Sequence, residues 1–148
     1  MPLCTIESTH GRLAVRDSGG EGPALLLVHG NSGCKEVFER QFAAPELAGW
    51  RLVAPDLPGH GASDDAPVPE AAYTFAGYAQ ALDEVIEALN LDRPAVLGWS
   101  LGGHAALELA GRGARLRGLM ICGTPPVAPT VDSLMAAFNI DPAAENLT

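Results

Sequence analysis

The chain of 148 residues carries 18 acidic against 9 basic side chains, a net charge of −9, which argues against a nucleic-acid footprint and a basic membrane patch. Its 47% apolar and 18% charged residues are the balance of a globular domain, and one domain of this size can bury roughly 68–70% of its unfolded surface. No apolar run approaches the roughly 18 residues that span a bilayer, and the opening MPLCTIESTHGR lacks the basic-then-apolar layout of a secretory signal.

In chain order, LCTIES (3–8) and RLAVRD (12–17) alternate apolar and polar on either side of His10-Gly11, predicting a β-hairpin with one wet face. After the turn cluster SGGEGP (18–23), ALLLVHG (24–30) is a continuous apolar run, the pattern of a strand buried on both faces. Residues 35–48 predict a short helix and RLVAPDL (51–57) a second buried strand, whereas PGHGASDDAPVP (58–69) is a loop by composition. From Phe75 to Asn90, Tyr78, Ala79, Leu82, Val85, Ile86 and Leu89 recur at helical steps, with Asp83, Glu84 and Glu87 opposite and Thr74 as the cap. PAVLGW (94–99) predicts a third buried strand that runs into Ser100 and a helix over 101–112. LRGLMICG (116–123) predicts a last strand, and one more helix is expected over 132–139.

Strands alternating with helices predict an α/β fold, a three-layer α/β/α arrangement with a mostly parallel sheet and an N-terminal antiparallel hairpin. Ligands in such sheets sit at the carboxyl ends of the strands, so the residues after 28, 56, 99 and 122 are the ones to inspect. Cys4, Cys34 and Cys122 are odd in number and widely spaced. That usage predicts free thiols in a reducing compartment, and a cytoplasmic protein.

Gly98-Trp99-Ser100-Leu101-Gly102 is a G-x-S-x-G sequence between a predicted strand and a predicted helix. A serine there sits on a turn so sharp that glycine is needed two residues before and two after. The turn lifts the hydroxyl over the sheet, and the helix aims its first amides at developing negative charge. The plainer alternative is that Ser100 caps the helix. His29-Gly30-Asn31-Ser32 follows the first buried strand. Gly30 lets the backbone approach a ligand and leaves the Asn31 amide free, and with the Leu101 amide it would form an oxyanion hole. The His29 side chain is expected to pack and hydrogen-bond internally. Asp56 and His60, in DLPGHGAS (56–63), are likewise read as structural, with Asp56 bonding backbone amides in a tight loop.

Together, HGNS, DLPGHGAS and GWSLGG resemble the α/β-hydrolase family over roughly residues 10–125. The resemblance is to the N-terminal portion of a serine hydrolase in the esterase, haloperoxidase-like and C–C hydrolase branch. It implies Ser100 as nucleophile, the backbone amides of Asn31 and Leu101 as oxyanion donors, and Trp99 as a pocket-lining residue. It implies a small ester or related acyl or carbonyl substrate, and no metal or organic cofactor. A serine at the elbow, where some relatives have Asp, argues against epoxide hydrolase or dehalogenase chemistry.

The family's chain order is Ser, then acid, then His. Downstream of Ser100 the acids are Glu108, Asp132, Asp141 and Glu145, and the single histidine is His104. His104 lies one helical turn beyond Ser100, so it is either a base beside the serine or a helix residue packed beneath the loops. By resemblance, 1–125 is the N-terminal portion of an α/β-hydrolase domain and 126–148 the poorly ordered start of a cap, with the C-terminal strands and the family's downstream acid and histidine expected to be lacking. That leaves 116–123 as a hydrophobic sheet edge, a template for self-association or for a complementing chain. The alternative function is a non-catalytic small-molecule-binding or degenerate hydrolase.

Overall fold

The computed structural model describes residues 3–125; the expected helix at 132–139 and the expected cap at 126–148 lie outside them. Strands β1 (Leu3–Ser8) and β2 (Gly11–Asp17) form the expected antiparallel hairpin, in the register Ser8↔Gly11 to Leu3↔Arg16. Its turn is closed by the Ser8 hydroxyl, which donates to the Gly11 carbonyl at 2.6 Å and accepts from the His10 amide at 3.1 Å. Gly11 takes φ +102 there, a backbone region that glycine enters without steric cost.

The parallel strands are β3 (Ala24–Val28), β4 (Arg51–Pro55), β5 (Ala95–Trp99) and β6 (Gly118–Cys122). The sheet order is β1-β2-β4-β3-β5-β6, so β3 is central and the hairpin joins antiparallel to the outer side of β4. Period-two alternation divides the strand side chains between two cores. On one face Leu26, Val28, Val53 and Val96 pack under α3 (Phe75–Ala88) and α4 (Leu101–Gly111). On the other, Leu27, Leu52 and Ala54 meet Phe38 and Phe42, the latter on α1 (Glu39–Ala43). This is the three-layer arrangement that continuous apolar runs demand, because a strand with helices on both sides has no face left for water.

Local structure departs from the sequence expectation in two places. The stretch 35–48 is not one helix: 3-10 turns at Lys35–Phe38 and Pro45–Leu47 flank a five-residue α1. Pro45 lacks an amide proton and disfavours helical backbone at Ala44, where ψ is +119. The stretch read as a loop to residue 69 gives way at its end to the short helix α2 (Pro69–Ala72), with proline at its first position. Thr74 caps α3 as expected, its hydroxyl accepting from the Gly77 amide at 2.9 Å.

The far end of the sheet is pinned by Arg51. Its Nε and Nη2 donate to Asp17, Nη2 at 2.6 Å, and its Nη1 donates to the Leu89 carbonyl at 3.2 Å. One side chain thus ties β2, β4 and the end of α3 together. Among the described residues β6 is an edge strand and all five of its residues are exposed.

Candidate active site

The turn from β5 into α4 places Ser100 at φ +53, ψ −116, a conformation that non-glycine residues hold at a cost of about 1–3 kcal/mol and that clusters at functional sites. The surrounding structure over-determines it. The Ser100 amide donates to the Cys122 carbonyl at 2.9 Å, while its own carbonyl accepts from the Gly103 amide at 2.9 Å and the Thr124 hydroxyl at 3.2 Å. Ser100 stands at the N-cap position of α4, but its side chain makes no capping hydrogen bond. A Cβ on Gly98 would run into the Gly102 carbonyl, and one on Gly102 into the carbonyls of Val28 and His29. Both glycines are therefore demanded by the approach of α4 to β3 and β5.

The loop after β3 meets this elbow directly. A Cβ on Gly30 would sit 3.1 Å from the Ser100 Cβ and 3.3 Å from the Trp99 ring. Asn31 is exposed, and neither its amide nor that of Leu101 donates to a partner among the described residues. Ser32 at φ +55 and a 3.1 Å bond from the Gly33 amide to the Gly30 carbonyl close the turn. Two unpaired amides thus lie on adjoining segments next to the serine.

His29 is fully buried. The Leu57 amide donates to its Nε2 at 3.0 Å, so the ring proton is on Nδ1, which donates to the Gly30 carbonyl at 2.8 Å. Burial holds its pKa below the ordinary histidine value, and the His60 ring 5.1 Å away acts in the same direction. The internal hydrogen bonding expected of His29 is what the structure contains. His60 bonds the Pro58 carbonyl through Nδ1 at 3.0 Å.

Asp56 is buried completely, and the amides it was expected to bind are those of Lys35, at 2.6 Å on Oδ1, and Ala62, at 2.8 Å on Oδ2. Sequence reasoning missed its ion partner. The Lys35 ammonium, 3% exposed as a residue, donates to Asp56 Oδ2 at 2.7 Å and lies 3.1 Å from Glu36 Oε1. Burial alone would lower the lysine pKa, but the hydrogen bonds it donates to Asp56 and Glu36 outweigh that and raise it. Cys34, Glu36 and Asp56 offer donor atoms within 4.8 Å of one another. The Lys35 ammonium already bridges the two carboxylates, so the cation of that cluster belongs to the chain. The Glu36 carboxylate beside Cys34 pushes its thiol pKa up, away from the reactive thiolate.

His104 is buried on α4 and stacks on Phe75. No hydrogen bond joins the Ser100 hydroxyl to His104 or to any other histidine among the described residues. Trp99 is 40% exposed, its indole lying over Gly30 and beside Gly123. All three cysteines are free.

An α/β sandwich whose strand-to-helix turn projects a strained serine toward an open glycine loop defines the class. The chain belongs to the α/β-hydrolase fold family, whose sequence model matches residues 23–146. It is similar to the crystal structure of the N-acyl homoserine lactonase AidH complexed with N-butanoyl homoserine, at 48% identity and a TM-score of 0.82 over 86% of this chain and 47% of that one. It is 31% identical to a 2-succinyl-6-hydroxy-2,4-cyclohexadiene-1-carboxylate synthase of Klebsiella pneumoniae over 88% of this chain and 50% of the relative. A pimeloyl-[acyl-carrier protein] methyl ester esterase of Xylella fastidiosa is 36% identical over 72% of this chain and 38% of the relative. The chain thus spans half or less of the length of these proteins. Among the described residues no helix is long and apolar enough to cross a membrane.

Proposed function

We propose that this chain carries the nucleophile and oxyanion-binding part of a serine hydrolase that attacks the acyl carbonyl of a small ester or lactone. The observation that carries the reading is Ser100 at φ +53 between two glycines that cannot accept a side chain, facing a loop with an unpaired amide. In this reading the Ser100 hydroxyl attacks the carbonyl carbon. The oxyanion that forms accepts from the Asn31 and Leu101 amides, with the N-terminus of α4 adding its positive end. The nucleophile is weak until a base takes its proton; His104 is turned onto Phe75, so the reactivity expected of this chain by itself is the residual rate that oxyanion donors leave without a base. Trp99 forms a wall of the pocket. The similarity to a lactonase makes N-acyl homoserine lactones the first substrates to test, and the free thiols fit a cytoplasmic setting. The open edge at β6 is the place where a second copy or a complementing chain would pair.

Fluorophosphonate labelling of the purified chain, read by intact mass with Ser100→Ala as control, tests the proposal. The expected result is one adduct on the wild type and none on the variant. An unlabelled wild type that still binds N-hexanoyl homoserine lactone in calorimetry overturns it in favour of binding without turnover. That second reading is favoured by one observation, that no histidine among the described residues reaches the Ser100 hydroxyl.

A further inference from the structure

We infer that the buried Lys35–Asp56 ion pair is a positioning device for the Asn31 amide, fixing the far end of the glycine loop to the end of β4. The inference rests on the reading of Asn31 as an oxyanion donor and extends it to residues that never touch substrate.

The loop from His29 to Lys35 hangs between two posts, and both stand on the segment that follows β4. At its start, His29 Nε2 accepts from the Leu57 amide at 3.0 Å. At its end, a single carboxylate holds Lys35 twice, taking the amide on Oδ1 at 2.6 Å and the ammonium on Oδ2 at 2.7 Å. Asp56 is itself immobilised: its amide donates to the Ala14 carbonyl at 2.8 Å, its carbonyl accepts from the Ser63 hydroxyl at 2.7 Å, and its Oδ2 accepts from the Ala62 amide at 2.8 Å. Gly61 is shaped to this carboxylate, since a Cβ there would overlap it. Between the posts only a short turn is free, with Asn31 and Ser32 exposed and the Gly33 amide bonded to the Gly30 carbonyl at 3.1 Å.

Two-point attachment matters because a single bond permits rotation about it, whereas amide and ammonium bound to the two oxygens of one carboxylate fix both position and direction. A surface lysine of ordinary role spends its charge in water. This one is buried to 3% exposure, an expense that simple solubility does not explain, and buried ion pairs are kept best where they set a register. Preorganised donors gain their catalytic value from not having to move.

The test uses the ¹⁵N-labelled full chain as wild type, as Lys35→Met and as the charge-neutral double variant Lys35→Met/Asp56→Asn. It reads amide hydrogen exchange together with the fluorophosphonate labelling rate at Ser100. In the wild type, the Lys35 amide is expected to exchange as slowly as the core amides of α3. Fast exchange at Lys35 overturns the inference without any variant. In Lys35→Met, exchange at Gly33 is expected to rise at least roughly tenfold relative to α3, the Asn31 resonance to move, and labelling to slow by roughly tenfold to a hundredfold, the scale of a misplaced donor. A purely stabilising pair would raise exchange in α3 and at Gly33 alike and leave the labelling rate unchanged, which also overturns the inference. Should the single variant fail to fold, the double variant decides by the same comparison. A wild type that takes no label, with Gly33 exchange still responding selectively, sinks the proposed chemistry and leaves the positioning role standing.

Discussion

His104 lies flat against Phe75, with ring centroids 4.6 Å apart and planes inclined by 18°, and its Nε2 is buried without a hydrogen-bond partner among the described residues. The stack joins the first turn of α3 to α4 one turn beyond the serine. An imidazole so placed is held neutral, and burial depresses its pKa below the ordinary value. His29, depressed chiefly by burial as well, adds to the same effect.

Acidification is therefore expected to weaken the fold. A depressed histidine contributes full stability above its unfolded pKa of about 6.5. Below that, the unfolded chain binds more protons than the native one, and the contribution is lost as pH falls through the folded value. Urea midpoints taken from about pH 7.5 down to about pH 5 should drop for the wild type. They should drop less for His104→Phe, which keeps the stack and removes the proton site. Equal slopes in the two proteins would assign the dependence to His29 alone.

Gly102→Ala is expected to destabilise by about 2–3 kcal/mol, the upper range for overpacking a tight site. The new methyl would meet the carbonyls of Val28 and His29, backbone atoms that cannot rotate away. Gly103→Ala meets the Thr124 side chain instead, its hydroxyl and its Cβ; the hydroxyl can turn away, at the loss of its bond to the Ser100 carbonyl, so the cost should be about 1–2 kcal/mol, still the smaller of the two. Denaturant unfolding of both variants checks the order. The reverse order would mean that α4 can slide off β3.

Most of what positions the serine was legible in the sequence because it depends on short-range rules. ALLLV is apolar at every position because β3 is covered on both faces, and Gly98 and Gly102 stand where backbone meets backbone. Thr74 caps α3 for the same local reason. The break-up of 35–48 was hidden because Phe38 and Phe42 are spaced as a helix would space them, while Pro45 and the attachment of Lys35 decide the backbone. The Lys35–Asp56 pair was invisible because its partners are 21 residues apart and a lysine beside a glutamate reads as a solvated face. One signal did exist: Gly61, five residues after Asp56, leaves room for a carboxylate turned inward.

The Asp17–Arg51 pair is expected to set the acid limit of the hairpin. Burial alone would raise the Asp17 carboxyl pKa, but the Arg51 guanidinium and the Gly19 amide outweigh it and lower it. A depressed carboxyl contributes stability above its unfolded pKa of about 3.9 and loses it as pH falls through the lower folded value. In Arg51→Met the Asp17 carboxyl, followed by carbon-detected NMR, should titrate at higher pH, and unfolding in acid should begin earlier. An unmoved titration would mean that the Gly19 amide alone holds the charge.

At the other end of the sheet, β6 is expected to make the chain associate. Leu119, Met120 and Ile121 are 38%, 62% and 46% exposed, on an edge strand whose outer backbone groups have no partner strand among the described residues. Register places Met120 opposite Leu97 and Ile121 opposite Gly98, so the apolar residues fall on both faces and no rotation of the strand hides them. An exposed apolar edge of this kind is a template for another strand, and a charge on it is the usual protection. Met120→Lys adds that charge in the middle of β6 and leaves the backbone pairing with β5 in place. Sedimentation velocity should find the wild type associated and the variant shifted toward monomer, with the same helical signal in circular dichroism. A wild type that sediments as a single monomer would show that the apolar side chains of β6 are not enough to recruit a second strand.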